Sequence, residues 1–203
     1  MRRHIVTIED PVEFVHRSER CLIHQREVGT STAEFDRAMR AVVREDPDVI
    51  LIGEVRDQET LTTALEAAQT GHLVLGTLHT NSAVRTIERV LGMYPPKDQP
   101  SIRRSISESL LAVLSQGLIK TFDGERTCYV DLMINTDACR DYIMEADLDE
   151  IEQIMARSAF DGMLTLNQSL ASLVEQGKVS DEEAIAVSMK PAELLQVLRG
   201  RFS

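Results

Sequence analysis

Three short apolar runs, each closed by acids or by a histidine, constrain this chain more than any other feature. Ile5-Val6-Thr7-Ile8 runs into Glu9-Asp10-Pro11-Val12-Glu13, Val49-Ile50-Leu51-Ile52 into Gly53-Glu54-Val55-Arg56-Asp57, and Leu73-Val74-Leu75-Gly76-Thr77-Leu78 into His79-Thr80-Asn81. Continuous apolar runs of this length fit strands buried on both faces of a parallel sheet. Ligands of open α/β sheets bind beyond the carboxyl ends of the strands. The three polar clusters are therefore expected along one edge of one sheet. Carboxylates and an imidazole gathered there suit metal and phosphate chemistry.

The intervening segments read as helices. Ser31-x-x-Glu34 has capping-box spacing, with Phe35, Met39 and Val42 following at helical intervals, and Pro47 forces a stop. Asp57 is placed to cap a helix whose inner face carries Leu61, Ala64, Leu65 and Ala68, and Gly71 ends it. A short strand is expected at 21–26 and a helix at 82–91. Strand and helix in alternation predict a parallel α/β sheet with right-handed crossovers. After the loop Tyr94-Pro95-Pro96-Lys97-Asp98-Gln99-Pro100, the spacing predicts a long helix over 102–116, then strands over 118–122 and 128–134 around Asp123-Gly124-Glu125. Beyond Asn135 only helices are expected, near 138–145, 149–157, 165–176, 180–188 and 191–198. The division is thus an α/β core over 1–135 and a helical subdomain over 136–203.

Composition narrows the function. A formal net charge of −11 argues by bulk charge against a duplex nucleic-acid binder, and no nucleic-acid partner is expected. No apolar stretch approaches the roughly 20 residues that cross a bilayer. Met1-Arg2-Arg3-His4 lacks the apolar centre of a signal peptide, so a cytoplasmic location is the expectation. Cys21, Cys128 and Cys139 are odd in number and far apart, which suits free thiols rather than a zinc site or a disulfide framework.

Each polar cluster admits a chemical and a plainer reading. Asp48-Val49-Ile50-Leu51-Ile52-Gly53-Glu54 has the form of a Walker B strand, which delivers an acid to magnesium or to the water attacking a γ-phosphate; an acid there can also merely cap the next helix. Glu9, Asp10 and Glu13 repel one another unless they are solvated, protonated or neutralised by a cation, and a simple acidic surface loop is the alternative. His72 and His79 flank one strand. His72 suits a helix cap or a satisfied surface group, whereas His79 falls on the edge of Glu13 and Glu54 and could bond a phosphate.

Taken together and in this order, the three motifs resemble the Asp box, Walker B motif and His box of the secretion ATPases of type II secretion and type IV pili. The resemblance continues through Gln25-Arg26-Glu27-Val28-Gly29 and Arg44-Glu45-Asp46-Pro47-Asp48 and covers almost the whole chain. Ser107-Glu108-Ser109-Leu110, Gly162-Met163-Leu164-Thr165-Leu166-Asn167-Gln168-Ser169-Leu170 and Ala138-Cys139-Arg140-Asp141-Tyr142-Ile143-Met144-Glu145 look like the pilus-retraction branch, with Met144 departing from that branch's usual arginine. The sister branch's tetracysteine site has no counterpart.

The resemblance implies a RecA-like P-loop NTPase core and a motor that hydrolyses ATP with Mg2+ to retract type IV pili in twitching motility. It implies a homo-hexamer, an inner-membrane pilus platform protein as partner, and a location at the inner face of the cell membrane. By it, Glu13 is the catalytic glutamate that orients or deprotonates water, Glu54 acts through magnesium, and His79 senses the γ-phosphate. Glu9, Asp10, Arg26, Arg40, Arg44, Arg56 and His72 are implied as nucleotide or interface contacts. No Gly-x-x-x-x-Gly-Lys-[Ser/Thr] string occurs; in the family that P-loop precedes the Asp box. The chain is therefore expected to be the carboxyl-terminal piece of a motor and feebly active alone. The alternative is a non-hydrolysing interaction module.

Overall fold

The computed structural model describes residues 2–31 and 35–201; these form two compact units, one made of the described residues up to 79 together with 92–96, the other of 80–91 with 97–201. In the first unit, β1 (His4–Glu9), β2 (Leu22–Glu27), β3 (Val49–Ile52) and β4 (Leu73–Gly76) form one sheet in the order β2-β1-β3-β4. Every pairing is parallel, and Ile8, Ile52 and Gly76 lie side by side in the register. The carboxyl ends of β1, β3 and β4 therefore share an edge, as the three motifs predict. Val6, Ile8, Ile50 and Ile52 are fully buried.

Two strand expectations are corrected. β4 ends at Gly76, not at Leu78, and Leu73 and Leu75 are exposed. β4 is the edge of the sheet among the described residues, so its apolar run does not mean burial on both faces.

α1 (Phe35–Val42) buries Met39 and Val42 and runs through a 3-10 turn, Val43–Glu45, to Asp46, whose positive φ of 51° turns the chain before Pro47. Glu34 of the proposed capping box lies outside the described residues. α2 (Gln58–Gln69) begins as expected: the Asp57 side chain accepts from the Thr60 N–H at 2.8 Å. Its fully buried side includes Leu61, Ala64 and Ala67, with Leu65 and Ala68 half-buried. Gly71, at φ 103°, turns the chain into β4, a conformation that costs glycine little.

The second unit contains α3 (Ala83–Gly92) except for its last residue, α4 (Gln99–Ser109), a hairpin of β5 (Ala112–Lys120) with β6 (Arg126–Ile134), then α5 (Asp137–Glu145), α6 (Leu148–Arg157), α7 (Leu166–Glu175), α8 (Asp181–Val187) and α9 (Pro191–Arg201). The helix expected over 102–116 stops at Ser109, because Ala112 onward pairs antiparallel with β6. Leu110 is already extended, and along β5 Val113, Ser115 and Ile119 are buried while Ala112, Leu114, Gln116 and Leu118 are exposed. That period of two is the strand's, not the helix's.

At Gly117 an added Cβ would collide with the ring end of Tyr129, its cross-strand partner, so the ring would have to shift to admit any side chain there. Ile119 joins Leu166, Leu170, Leu173, Leu194 and Leu198 in the core that α7, α8 and α9 close over the hairpin. α7 opens with a complete capping box between Thr165 and Gln168. At α8 the Ser180 hydroxyl accepts from the Glu183 N–H at 3.2 Å.

Candidate active site at the carboxyl edge of the parallel sheet

β3 delivers Glu54 by passing close to β1. A Cβ at Gly53 would come within 3.0 Å of the Ile8 carbonyl oxygen and 3.1 Å of the Glu9 Cα, so only glycine fits without displacing backbone. The strand end is fixed on both sides. Gly53 N–H donates to Ile8 O at 2.8 Å, and the Thr77 hydroxyl donates to Gly53 O.

Glu54 is the centre of the site. One carboxylate oxygen meets Arg56 Nε at 2.6 Å, and the other faces His79 Nε2 at 3.2 Å. Arg56 also reaches Asp10 with Nη1 at 3.2 Å, so one guanidinium joins the loop after β1 to the end of β3. These acids, Glu54 first, raise the Arg56 pKa above its ordinary value. The Glu54 side chain is 28% exposed and that of His79 is 85% exposed, which leaves the imidazole open to a ligand.

The acidic loop is held from β2, by residues whose role the sequence reading did not assign. Gln25 Nε2 donates to Glu9 Oε1 and to the Phe14 carbonyl, both at 2.9 Å, while its Oε1 accepts from His16 N–H at 2.7 Å. Glu27 accepts from Val12 N–H at 3.0 Å and from the Thr30 hydroxyl at 2.8 Å, and these bonds hold its pKa below the ordinary value. Gln25 and Glu27 are two apart on one strand. That spacing, inside the quoted Gln25-Arg26-Glu27 run, was the available signal.

Other expected residues fall elsewhere. Glu13 leaves the same edge of the sheet with an exposed side chain, while the ion pairs of the node join Asp10, Arg56, Glu54 and His79. Glu9 accepts from the Thr7 hydroxyl at 2.6 Å. Arg26 pairs with Glu45, and Arg40 with Glu59 at 2.7 Å. Arg44 is exposed and lines an open groove with Arg40, Glu59 and Thr62. His72 sits at the opposite end of β4 from His79, where its Nδ1 lies 2.9 Å from the Ala67 carbonyl, in keeping with a satisfied surface histidine.

Among the described residues, no group of three or more His, Cys, Asp or Glu side chains could hold a metal ion. Magnesium bound through one or two carboxylates, phosphates and water needs no such cage. A partly exposed carboxylate such as Glu54 fits that pattern of binding.

The model of the family described as type II/IV secretion system protein matches residues 1–189. The chain belongs to that family. Among similar members, it is 48% identical over 181 residues to the type IV pilus retraction ATPase PilT of Pseudomonas aeruginosa, covering 89% of this chain and 53% of that protein. It is 47% identical over 182 residues to the twitching motility protein of Neisseria gonorrhoeae, covering 89% and 49%. The crystal structure of the pilus retraction motor PilT with bound ADP superposes with a TM-score of 0.89 at 43% identity, over 96% of this chain and 55% of that one. The secretion-family chain thus spans about half the length of the relatives it matches. No helix among its described residues is long and apolar enough to cross a membrane.

Proposed function

We propose that this chain is the carboxyl-terminal ATPase part of a hexameric motor that hydrolyses ATP to drive type IV pilus retraction. The observation that carries the reading is the Glu54 carboxylate held between Arg56 and His79 at the carboxyl edge of a parallel sheet. Phosphoryl transfer is catalysed mainly by positioning and charge stabilisation, and this node supplies fixed charges of both signs. Similarity to a protein named for pilus retraction supports the direction of force.

Within this reading, Glu13 orients or deprotonates the attacking water, and its exposed carboxylate is free to approach a nucleotide. Glu54 would hold the magnesium that accompanies ATP, and that ion, when bound, would supply neutralisation of phosphate charge. His79 reports the γ-phosphate to Glu54 through the contact already formed between them. Glu9, Asp10, Arg26, Arg40, Arg44, Arg56 and His72 serve nucleotide or subunit contacts. The motor works as a homo-hexamer at the inner face of the membrane against a pilus platform protein. The functional division remains an ATPase core over 1–135 and a helical subdomain over 136–203. That division sorts the chain by type of element, whereas the compact units sort it by contact.

The test joins this chain to the upstream half of the Pseudomonas aeruginosa relative. ATP binding and turnover are then measured with and without Glu13→Gln. The amide keeps the shape but cannot accept a proton, so turnover should fall on the order of 10²–10⁴-fold with binding retained. Turnover at the parental rate would remove Glu13 from its role. A chimera that never turns over ATP would favour the non-hydrolysing module.

A further inference from the structure

Two side chains of β2 grip the loop that carries Glu13 without entering the Glu54 node. Gln25 and Glu27 stand beside Thr7 and Glu9 in the parallel register, so the four side chains share one face of the sheet. Glu27 Oε2 accepts from Val12 N–H at 3.0 Å. Gln25 Nε2 donates to the Phe14 carbonyl at 2.9 Å, and Gln25 Oε1 accepts from His16 N–H at 2.7 Å. The three main-chain groups belong to alternate residues, and those of Val12 and Phe14 bracket Glu13. None of these bonds acts on the Glu13 carboxylate, and Glu13 itself is exposed.

The acids around Glu13 are each turned to another partner. Glu9 Oε1 accepts from the Thr7 hydroxyl at 2.6 Å and from Gln25 Nε2 at 2.9 Å. Asp10 meets Arg56 at 3.2 Å. Glu27 also accepts from the Thr30 hydroxyl at 2.8 Å, and its two bonds, that from Val12 first, hold its pKa below the ordinary value. Glu27 is therefore a carboxylate at neutral pH, and an ionised acceptor makes the stronger hydrogen bond. These partners offset the repulsion among the acids and restrict an exposed loop that would otherwise keep its conformational entropy.

We propose that Gln25 and Glu27 are positioning residues for Glu13: they fix the main chain on both sides of it, so that its carboxylate is presented at the sheet edge that carries Glu54. A general base must lie within hydrogen-bond reach of the proton that it takes. Geometry is therefore worth as much as chemistry here, and a misplacement of about 1 Å can cost about a hundredfold in rate. Gln25 supplies two of the three bonds to the loop and Glu27 the third. The catalytic consequence rests on the ATPase reading; the grip on the loop does not.

Two measurements test this with Gln25→Ala, which removes the bonds at Phe14 and His16, and Glu27→Ala, which removes the bond at Val12. The first is amide exchange of the 203-residue chain by NMR. His16 N–H should exchange about tenfold faster in Gln25→Ala, and Val12 N–H about tenfold faster in Glu27→Ala, with the amides of α2 unchanged. Unchanged exchange at both positions would overturn the grip. The second is turnover in the chimera with the upstream half of the Pseudomonas aeruginosa relative. Each variant should lower kcat about tenfold to about a hundredfold and leave KM for ATP within about twofold. Added to Glu13→Gln, neither should lower kcat further, because the loop then carries no base to aim. The same fold loss in both backgrounds would mean a merely structural role and would overturn the proposal, as would parental kcat in both single variants. Failure of the ATPase reading shows separately, as parental turnover in Glu13→Gln alone or as a chimera without turnover, and amide exchange then decides the grip by itself. If Gln25→Ala does not fold, Glu27→Ala carries both measurements.

Discussion

Gly117→Ala should destabilise the chain through one contact. The added Cβ would overlap Cζ and Oη of Tyr129 and sit 2.7 Å from its Cε2, where carbon atoms prefer about 3.5–4.0 Å. The ring must move. Tyr129 packs against the Ile119 and Leu170 core, so rotating it crowds that core and expelling it opens a void. Overpacking of this kind costs about 1–3 kcal/mol. Gly117 has no positive φ, so alanine meets no backbone penalty of its own. For a chain of this size, about 2 kcal/mol lowers Tm by about 4–8 °C. The assay is a double-mutant cycle by urea or thermal unfolding with Tyr129→Ala as partner. Where the ring is already gone, Gly117→Ala should cost less than about 0.5 kcal/mol, which leaves a coupling above about 1 kcal/mol. The same cost in both backgrounds would refute the argument, since the penalty would then not come from the ring.

Three further outcomes are expected. In the chimeric motor, Glu54→Gln should lower turnover and weaken its dependence on magnesium, read by titrating the ion at saturating ATP; an unchanged magnesium profile would count against Glu54 as the metal contact. The 203-residue chain by itself should hydrolyse ATP feebly or not at all, and robust magnesium-dependent turnover abolished by Glu13→Gln would contradict this. The third concerns pH. Folded Asp131 keeps its proton up to about 6 while the unfolded chain releases it near 3.8, so the folded state binds the extra proton between those values. Stability from this group is greatest at the acid end and falls as pH rises through that window, by up to about 3 kcal/mol at 1.36 kcal/mol per unit. The lowered pKa values of Glu27, Asp48 and Asp123 act oppositely, with their contribution lost as pH falls through values below the ordinary carboxylate range. The difference between parent and Asp131→Asn in urea melts at about pH 4 and about pH 7 isolates the Asp131 share.

The parallel sheet could be read from residue order because its inner strands are unbroken apolar runs, and Val6, Ile8, Ile50 and Ile52 are buried accordingly. β4 has the same kind of sequence but lies at the edge among the described residues; neighbours in space, not composition, decide that. The α4–β5 boundary was misread because Ile102, Ile106, Leu110 and Val113 keep helical spacing across it. The long ladder with β6 overrides that spacing from Ala112.

At the site, Glu54 and His79 were legible as strand-end residues, and the structure brings them together. The bridge that Arg56 makes to Asp10, and the grip of Gln25 and Glu27 on the acidic loop, depend on cross-strand proximity that no local period records. Asp131 gave no signal, since a lone acid in Val130-Asp131-Leu132-Met133 becomes informative only once its oxygen is found without a donor.

The two sheets close loops of very different length. Gly117 and Tyr129 are joined around the short turn at Gly124, whereas Ile5 must find Val49 across β2 and α1, and Val49 must find Leu73 across α2. Loop closure must precede the reward of non-local pairing, so parallel strands are the slower to assemble. On dilution from denaturant, amide protection should therefore appear first along β5 and β6 and later along β1 and β3. The Glu54–His79 contact, which depends on that parallel register, would be among the last features of the chain to form.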